Sequence, residues 1–583
     1  MSYSYFTKRS AITDNFLPAY DYIVIGGGSA GCVIANRLSE DLKTTVLLLE
    51  AGPSHEKKSA LKVPAKTIDL HNDPNFDWSY KSVEQSNSRL ACGQVASIPR
   101  GRVLGGCSSI NFMVYIRGCK GDYDTWQEMG AQGWNFESVL PYFIKSENNI
   151  RPEFRKDPAH GVGGPVTVTD PSFTTPVTDA FVKAGVKLGN KECDINSGVK
   201  NGFDLGQLVI KNGQRQSTAA SYLTSKVLRR RNLAIGVNCL VRKVVFKENR
   251  AVGVEFSKND KIITISCNSE VIVCGGVIGS PQILLLSGVG PKEDLEKLEI
   301  PVVANLPVGR NMQDHNAISI SSLTKDLQNS TLNLKSATKL SSILKYLFKG
   351  KGVIASSGYL ASGFVNAVDD SDALPWPDTQ IHLFGYGVLS DKFYYENLGY
   401  NKEKHFPLFI GNSMAQDQEG FTLVPVLLHP KSRGTVKLRS TDPAEYPDID
   451  PKYYDDPDDL TAMAKIVQYA IKLLETEPLC SYIKEVLRYK IDSSHEYNSI
   501  EYWKDVIRVY GMDCFHPVGT CKMGAVDDPT TVVDSDLRIH GLDGIRVADA
   551  SIMPCIVSGN TNAACMMIGE KVADLIRGKN ARS

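Results

Sequence analysis

The sequence predicts a mixed α/β protein that begins with a Rossmann-like βαβ unit, and three observations support this fold class. Residues 22–25 form a short β-branched run typical of a buried strand. The glycine-rich turn 26–31 follows, and small and apolar residues then continue with helical spacing to Leu38. A second apolar run, 45–49, has the composition of the next strand. The order strand, turn, helix, strand is that of a Rossmann-like unit.

Three glycines of the turn each have a structural role. Gly26 permits the tight turn, Gly28 lets the backbone approach a pyrophosphate, and Gly31 lets the helix pack closely on the strand. The N–H groups of Ser29 and Ala30 at the start of the helix are expected to face the phosphates. The turn therefore predicts a cofactor that contains ADP.

An acidic residue follows the second strand. Glu50, with Ala51 after it, stands nineteen residues beyond Gly31, where its carboxylate can accept hydrogen bonds from a ribose diol. Because NAD and FAD both contain ADP, the βαβ unit does not choose between them.

The bulk composition limits the classes of function. At 583 residues the chain is long enough for several domain-sized units or for fewer interleaved ones. Its 65 basic residues balance 65 acidic residues, so no net charge favours a nucleic-acid partner. The 13 cysteines include no Cys-x-x-Cys pair and no zinc-finger spacing, so we expect reduced thiols and no metal site.

The sequence also bears on location. No apolar run reaches the roughly 20 residues of a membrane-spanning helix. The first twenty residues lack the apolar core of a secretory signal. We therefore expect a soluble, intracellular protein, with the cytoplasm as the first choice. Lys8 and Arg9 leave a short mitochondrial presequence open, and the C-terminal tripeptide 581–583 faintly resembles a peroxisomal signal.

Six further motifs follow the glycine turn in order. They are RGRVLGGCSSIN at 100–111 with YIRG at 115–118, GGVIGSPQIL at 275–284 with SGVG at 287–290, VGRNMQDH at 308–315, KSRG at 431–434, HPVGT at 516–520 and VADAS at 547–551. Together they resemble the glucose-methanol-choline (GMC) family of FAD oxidoreductases over nearly the whole chain. Val277 departs from the small residue usual in the second signature.

The resemblance implies the GMC oxidoreductase fold. A Rossmann-like FAD-binding domain is expected to interleave with a substrate-binding domain built on an antiparallel sheet. After an N-terminal extension at 1–19, the FAD-binding domain is expected at 20–170, 200–320 and 520–577. The substrate-binding domain is expected at 171–199 and 321–519. The polar segment 390–420 would suit a loop over the pocket entrance.

The resemblance also extends the set of cofactor contacts. They are expected at Arg102, Gly105, Gly106, Ser108, Asn111, Met113, Val114, Val241, Asp549, Ala550, Asn560 and Thr561. The two adjacent glycines bring backbone close to a flat or charged group, and Ser108 and Asn111 supply donors. Asp549 could equally cap a turn. In covalent members a histidine bonded to the flavin stands where this chain has Ile110, so FAD is expected to be non-covalent.

Alcohol oxidation by a flavin requires a base for the hydroxyl proton, and imidazole is the side chain best tuned for this near neutral pH. His516 lies in HPVGTCKMG, which resembles the segment that carries the family's catalytic histidine. His315 and His382 are the competing histidines, and His382 lies in a predicted strand, TQIHLF at 379–384.

The second catalytic position of the family, a histidine or asparagine before the last helix, aligns with Asn562, and Asn560 is the alternative. An asparagine can donate to the substrate oxygen but cannot act as a base.

The resemblance implies oxidation of a primary alcohol or sugar hydroxyl to the carbonyl, with hydride transfer to flavin N5. Electrons would pass to a quinone-type acceptor or to oxygen. The motifs resemble both choline-dehydrogenase-like and insect glucose-dehydrogenase-like members of the family. A lyase of the same family, of the hydroxynitrile lyase or fatty acid photodecarboxylase type, stays open, although residues 422–433 lack the cysteine expected in the latter. A homodimer is compatible with the sequence.

Overall fold

The computed structural model describes residues 10–56, 58–325, 337–369, 374–386, 397–401, 403, 409 and 419–579. Most of the entrance loop expected at 390–420 and the first nine residues of the N-terminal extension therefore lie outside the described residues. Two large sheets organise the described part of the chain, and a separate hydrophobic core packs around each of them.

The strands and helices alternate along the chain. The first strands are β1 (Ala19–Ile25), β2 (Val46–Leu49), β3 (Tyr80–Lys81), β4 (Ser97–Ile98), β5 (Glu147–Asn149), β6 (Val166–Val168), β7 (Gly202–Leu205), β8 (Ile210–Lys211), β9 (Gln214–Arg215), β10 (Leu233–Gly236), β11 (Leu240–Lys247), β12 (Arg250–Lys258) and β13 (Lys261–Val273). They are followed by β14 (Asn316–Ala317), β15 (Ile320–Thr324), β16 (Tyr359–Val365), β17 (Thr379–Phe384), β18 (Gly420–Leu427), β19 (Thr435–Lys437), β20 (Asp448–Asp450), β21 (Ile483–Val486), β22 (Met512–Asp513) and β23 (Ile545–Val547). The helices are α1 (Ser29–Leu38), α2 (Thr67–Leu70), α3 (Lys120–Glu128), α4 (Phe136–Ser146), α5 (Pro176–Lys187), α6 (Thr218–Tyr222), α7 (Gly276–Leu286), α8 (Lys292–Glu296), α9 (Leu340–Lys349), α10 (Pro457–Leu474), α11 (Ile500–Tyr510) and α12 (Asn562–Arg577).

The first sheet is mixed and follows the predicted βαβ unit. Its strands run in the order β10, β2, β1, β13, β12, β11, and β23 pairs with β13. The pairs among β10, β2, β1, β13 and β23 are parallel, whereas β11, β12 and β13 form an antiparallel meander. All four residues of β2 are buried, as expected for a parallel strand covered on both faces. The predicted unit of strand, glycine turn, helix and strand is confirmed by β1, α1 and β2.

The second sheet is antiparallel, as predicted. Its main path is β21, β15, β18, β17, β16, β7, and β14 joins β18 to β22. The strand predicted at TQIHLF is β17, at the centre of this sheet. Helix α10 packs against β18, and α5 packs against β7 and β16. The inner strands β16, β17 and β18 are almost wholly buried, whereas the edge strand β21 is largely exposed.

The chain passes between the sheets more often than the domain ranges predicted. Strand β7 lies within 200–320, which was assigned to the FAD-binding domain, but it pairs with β16 of the second sheet. Strand β14 also lies within that range and pairs with β18. A strand belongs to the sheet with which its backbone forms hydrogen bonds. Strands of two or four residues are too short for their sequence pattern to predict that partner. The domain limits stay a prediction.

Two general features bear on the expected location and redox chemistry. All thirteen cysteines lie within the described residues, and each is a free thiol. None of the helices in the described ranges is both long enough and apolar enough to cross a bilayer.

Candidate functional site

A large cavity lies between the two sheets. It begins at the carboxyl ends of β1 and β2, where open parallel sheets bind ligands, and reaches β17 and β18 of the second sheet. Of the residues predicted from the sequence, those that line it are Gly26, Gly28, Ser29, Ala30, Glu50, Ala51, Gly106, Asn111, Val114, Val241, His516, Asp549, Ala550, Asn560, Thr561 and Asn562. The structure therefore brings distant motifs to one wall.

The glycine turn forms an open cradle at the start of α1. Gly26 has φ +98°, and a Cβ there would lie 2.3 Å from the carbonyl oxygen of Cys274. A Cβ on Gly31 would lie 2.0 Å from the carbonyl oxygen of Gly26, so α1 packs against the turn as closely as predicted. A Cβ on Gly28 would meet no atom within 4 Å. Gly28 therefore leaves room in the cavity for a group that approaches the backbone.

Glu50 connects the glycine turn to the segment that follows β2. One carboxylate oxygen accepts the N–H of Gly27 at 2.9 Å, and the other accepts the N–H of Gly52 at 2.8 Å. Because an ionised carboxylate offers about four acceptor positions, ribose hydroxyls can still donate to both oxygens. The backbone contacts orient the carboxylate toward the cavity that Glu50 lines.

The loop with Gly105 and Gly106 packs directly on the glycine turn. Both residues have positive φ, and a Cβ on Gly106 would lie 2.8 Å from Cα of Gly28. Ser108 Oγ donates to the carbonyl oxygen of Gly105 at 2.6 Å and accepts the N–H of Thr218 at 2.8 Å. The hydroxyl of Ser108 therefore stabilises the loop from inside.

Five predicted cofactor residues do not line the cavity. They are Gly31, Arg102, Gly105, Ser108 and Met113. The Arg102 guanidinium lies over the Trp78 ring, 5.0 Å from its centre, and Met113 is buried. Gly31, Gly105 and Ser108 shape the two loops, as described above. Arg102 thus packs on Trp78, which itself lines the cavity.

Asp549 caps two local structures. Its carboxylate accepts the N–H of Gly276 at 2.8 Å and the hydroxyl of Ser280 at 2.6 Å, at the start of α7. It also accepts the N–H of Ser551 at 2.8 Å. The turn cap considered from the sequence is therefore present, and the same residue lines the cavity together with Ala550.

His516 is held on both ring nitrogens. Its Nδ1 lies 3.0 Å from Nδ1 of His315, and its Nε2 lies 3.0 Å from Nδ2 of Asn560. An amide nitrogen can only donate, so Nε2 of His516 is the acceptor and its proton lies on Nδ1. Nδ1 then donates to His315. His315, a competing histidine in the sequence, therefore contacts the ring of His516.

The environment keeps His516 neutral. Burial lowers the pKa of its imidazole well below 6.5, and His315, His382 and Arg100 lower that pKa further. Burial also lowers the pKa of His315 to about 3, with a contribution from His382. The main-chain N–H of His516 donates to Asp314 at 2.9 Å, so this carboxyl group holds the backbone rather than the ring. A neutral imidazole on the cavity wall can accept a proton.

Asn562, the expected partner of His516, lies elsewhere along the cavity. It is the first residue of α12, and its Oδ1 accepts the hydroxyl of Ser29 at 2.7 Å. Asn560 precedes the helix and makes the contact with His516 instead. The two asparagines diverge because the backbone turns into the helix between them, with Thr561 at the cap. Asn562 thus joins the last helix to the glycine turn.

Comparison with known proteins decides the family. Residues 20–317 and 430–569 match the two models described as GMC oxidoreductase. The chain belongs to the GMC oxidoreductase family. Glucose dehydrogenase [FAD, quinone] of Drosophila pseudoobscura pseudoobscura is 36% identical over 568 residues, covering 96% of this chain and 87% of that protein. Mitochondrial choline dehydrogenase of Homo sapiens is 36% identical over 573 residues, covering 96% and 90%.

A solved structure supports the fold. Pyridoxine 4-oxidase from Mesorbium loti superposes with a TM-score of 0.81 at 26% identity, covering 96% of this chain and 99% of that chain. The protein is thus a GMC enzyme that acts on CH–OH donors, and FAD is the cofactor typical of the family.

The residues of this GMC oxidoreductase fit FAD. Gly28, Gly276 and Gly279 each leave open space where a Cβ would stand, so the backbone is exposed to a ligand at both the turn and the start of α7. The adjoining Glu50 offers acceptors to a ribose, and the N-terminus of α1 offers N–H groups to phosphates. The donors and acceptors therefore occur in the order that the adenosine and pyrophosphate parts require.

Sequence reasoning missed an aromatic wall at the end of the cavity that His516 lines. His71 contacts Phe112 and Phe515 edge to face at 5.7 and 5.6 Å, and Phe112 contacts Phe384 at 5.6 Å. All four line the cavity. Phe112 and Phe515 adjoin Asn111 and His516, so proximity to the motifs could have found them. His71 comes from a segment without any motif, and no local signal pointed to it.

Proposed function

We propose that this GMC oxidoreductase oxidises a primary alcohol or a sugar hydroxyl to the carbonyl, with His516 as the base. The observation that carries the proposal is the neutral imidazole of His516, held between His315 and Asn560 on the cavity wall. The relatives named for choline and glucose support the class of CH–OH donor. Quinone or oxygen is proposed as the electron acceptor.

His516 and Asn560 would have different roles. A hydroxyl that enters between the two side chains can give its proton to Nε2 of His516 and accept an N–H from Asn560. The N–H that Asn560 donates to Nε2 keeps the ring proton of His516 on Nδ1, so Nε2 carries the lone pair that can accept the substrate proton. When bound, FAD supplies the chemistry that the side chains lack, acceptance of the hydride from the substrate carbon.

The cofactor would be held along the whole wall. Glu50 and the backbone of Val241 would meet the adenosine, and the turn from Gly26 to Ala30 would meet the pyrophosphate. Gly106, Asn111 and Val114 lie farther along, on the side of the flavin. Arg102 and Met113 would act from behind this wall.

The proposed FAD is non-covalent because Ile110, which lines the cavity, has no nucleophilic atom. Acid precipitation of the purified protein is expected to release the flavin into the supernatant. A pellet that stays yellow would contradict this proposal.

We propose Asn560, rather than Asn562, as the second catalytic residue. The variant Asn560→Ala removes the donor beside His516, so we expect the rate of anaerobic flavin reduction to fall roughly 10²-fold with FAD retained. Asn562→Ala is the matched variant, and its lost contact with Ser29 should mainly weaken FAD binding. A larger loss of reduction rate in Asn562→Ala than in Asn560→Ala would restore the assignment made from the sequence.

One experiment tests the reaction class. Alcohols, sugars and choline are mixed anaerobically with the FAD-loaded enzyme, and bleaching of the flavin identifies a substrate. Oxygen or a quinone is then added, and the return of colour identifies the acceptor. If no compound bleaches the flavin while the enzyme cleaves a cyanohydrin or releases CO₂ from a fatty acid under light, the protein is a lyase of the same family.

A further inference from the structure

Helix α9 carries an exposed apolar stripe. At 3.6 residues per turn its large apolar side chains fall on one side of the helix. We call them the α9 face, with the exposed fractions Leu340 70%, Ile343 37%, Leu344 44%, Leu347 68% and Phe348 81%. None of the residues of α9 is buried. The large apolar side chains of this helix thus point away from the protein.

The orientation of α9 is the reverse of the usual one. An amphipathic helix on the surface of a protein normally turns its apolar stripe to the core. Here Ser342 and Tyr346 are the partly buried residues, so the polar side rests on the protein. A contiguous exposed patch of this kind commonly marks an interaction site.

The charged residues on either side of α9 in the sequence, and within it, are all basic. The sequence has no acidic residue between Asp326 and Asp369. That interval contains Lys335, Lys339, Lys345, Lys349 and Lys351. On the helical wheel Lys339 borders one edge of the stripe and Lys345 borders the other. A partner must therefore combine an apolar layer with negative charge.

We infer that α9 docks on the surface of an anionic lipid bilayer. Its apolar face would enter the boundary between headgroups and acyl chains, as interfacial amphipathic helices do. The lysines would reach the phosphates with their charged ends, while their methylene stems cover apolar surface. The ten residues of α9 are too few to cross a bilayer, so the helix would lie in the plane of the interface.

A second copy of the chain fits the α9 face less well. In a two-fold dimer the same surface meets itself, so the lysine edges of the two helices would approach each other. No acidic residue between positions 326 and 369 could neutralise them locally. A bilayer with acidic lipids meets both requirements at once.

Docking through α9 would bring the second sheet towards the bilayer. The chain runs from α9 through Val353–Ala355 into β16. The carbonyl oxygen of Ser357 accepts the hydroxyl of Tyr386 at 2.7 Å, two residues beyond Phe384 on the cavity wall.

The test is flotation of the FAD-loaded enzyme with phosphatidylcholine vesicles prepared with and without phosphatidylserine. We expect the protein to float with vesicles that contain phosphatidylserine, and the bound fraction to fall at high salt. The double variant Leu347→Glu/Phe348→Glu should lower the partition coefficient by at least about tenfold, because it places carboxylates in the apolar layer. Lys345→Glu/Lys349→Glu should weaken binding and reduce its salt dependence.

The matched control is Leu42→Glu/Val526→Glu, which places the same charges at side chains that are 75% and 76% exposed elsewhere. Flavin absorbance and anaerobic bleaching report whether each variant is folded. Equal binding of wild type and the α9 double variant would overturn the inference, as would equal binding to neutral vesicles or no binding. A wild-type dimer that the α9 double variant converts to a monomer would assign the α9 face to a second copy.

Discussion

His516 on the cavity wall and His160 near β5 are both held by hydrogen bonds on each ring nitrogen, but their partners differ. His160 contacts Glu147 through Nδ1 at 3.1 Å and Asp194 through Nε2 at 2.9 Å. Burial alone would lower the pKa of His160, but the hydrogen bonds to Asp194 and Glu147 raise it to about 9. His516 has an imidazole and an amide as partners, and its pKa lies well below 6.5.

The difference shows that carboxylate partners can together outweigh burial, which otherwise keeps an enclosed histidine neutral. The carboxylates of Glu147 and Asp194 both contact the ring of His160. The guanidinium of Arg117 lies 2.6 Å from Glu147. Opposite charges there favour the protonated ring, which makes His160 part of an ion cluster. No carboxylate contacts the ring of His516 among the described residues, so desolvation keeps that ring neutral. One histidine stabilises the fold, and the other is available to accept a proton.

The largest expected effect separates chemistry from stability. His516→Ala removes the proposed base, so anaerobic flavin reduction by substrate should slow by roughly 10²- to 10⁴-fold, with FAD still bound. Stopped-flow absorbance measures the rate. His160→Ala is the control and should reduce its flavin at close to the wild-type rate. Near-normal reduction in His516→Ala would show that the base is another residue.

The second effect is on folding. His160→Ala leaves the buried Glu147 and the partly buried Asp194 without the imidazolium between them, which should lower the free energy of unfolding by about 3 kcal/mol. Urea denaturation of the FAD-loaded enzyme measures the loss, with His516→Ala as the comparison. Unchanged stability of His160→Ala would mean that the cluster carries no net energy.

The pH dependence of the free energy of unfolding should then differ between wild type and His160→Ala. An unfolded histidine titrates near pH 6.5, roughly, whereas folded His160 titrates at about 9. The folded pKa is the higher one, so the stabilisation is fully present below the unfolded pKa and is lost as the pH rises through 9. The stability gap between wild type and His160→Ala should therefore narrow from pH 7 to pH 9.5, roughly, in urea titrations at each pH. A gap that widens with pH would contradict the charged state of His160.

The smallest effect is on the acid side of the activity profile. The lowered pKa of His516 keeps its ring neutral at pH 6.5 and below, so the reduction rate should stay level from neutral pH to about pH 6. It should decline only at more acidic pH, as the ring becomes protonated. A midpoint near the ordinary histidine pKa, measured in the reductive half-reaction, would show that burial does not act on this ring.

Much of the fold could be predicted from local patterns. The βαβ unit, the strand β17 and the two loops with paired glycines all carry their signal within a few residues, because strand periodicity and positive φ are local properties. The crossing of β7 into the second sheet was missed. A four-residue strand chooses its partner by packing against distant chain, which no local pattern records.

In the candidate site, too, some features depend on contacts that form only after folding and could not be predicted from local patterns. Asn560 and Asn562 lie only two residues apart, so an alignment of motifs could not separate them. The start of α12 between them turns one towards His516 and the other towards Ser29. The aromatic wall with His71 and the exposed orientation of α9 also depend on which surfaces meet after folding.

The sequence by itself determined the glycine turn and the acid after β2, since both rest on residue types at short spacing. The choice of His516 as the candidate base came from the resemblance of its segment, HPVGTCKMG, to the GMC family. The tertiary structure alone decided the protonation of that histidine. Its ring partners come from positions 201 and 44 residues away along the chain. Because the pKa of a buried group depends on every charge and dipole around it, only the folded neighbourhood can set it.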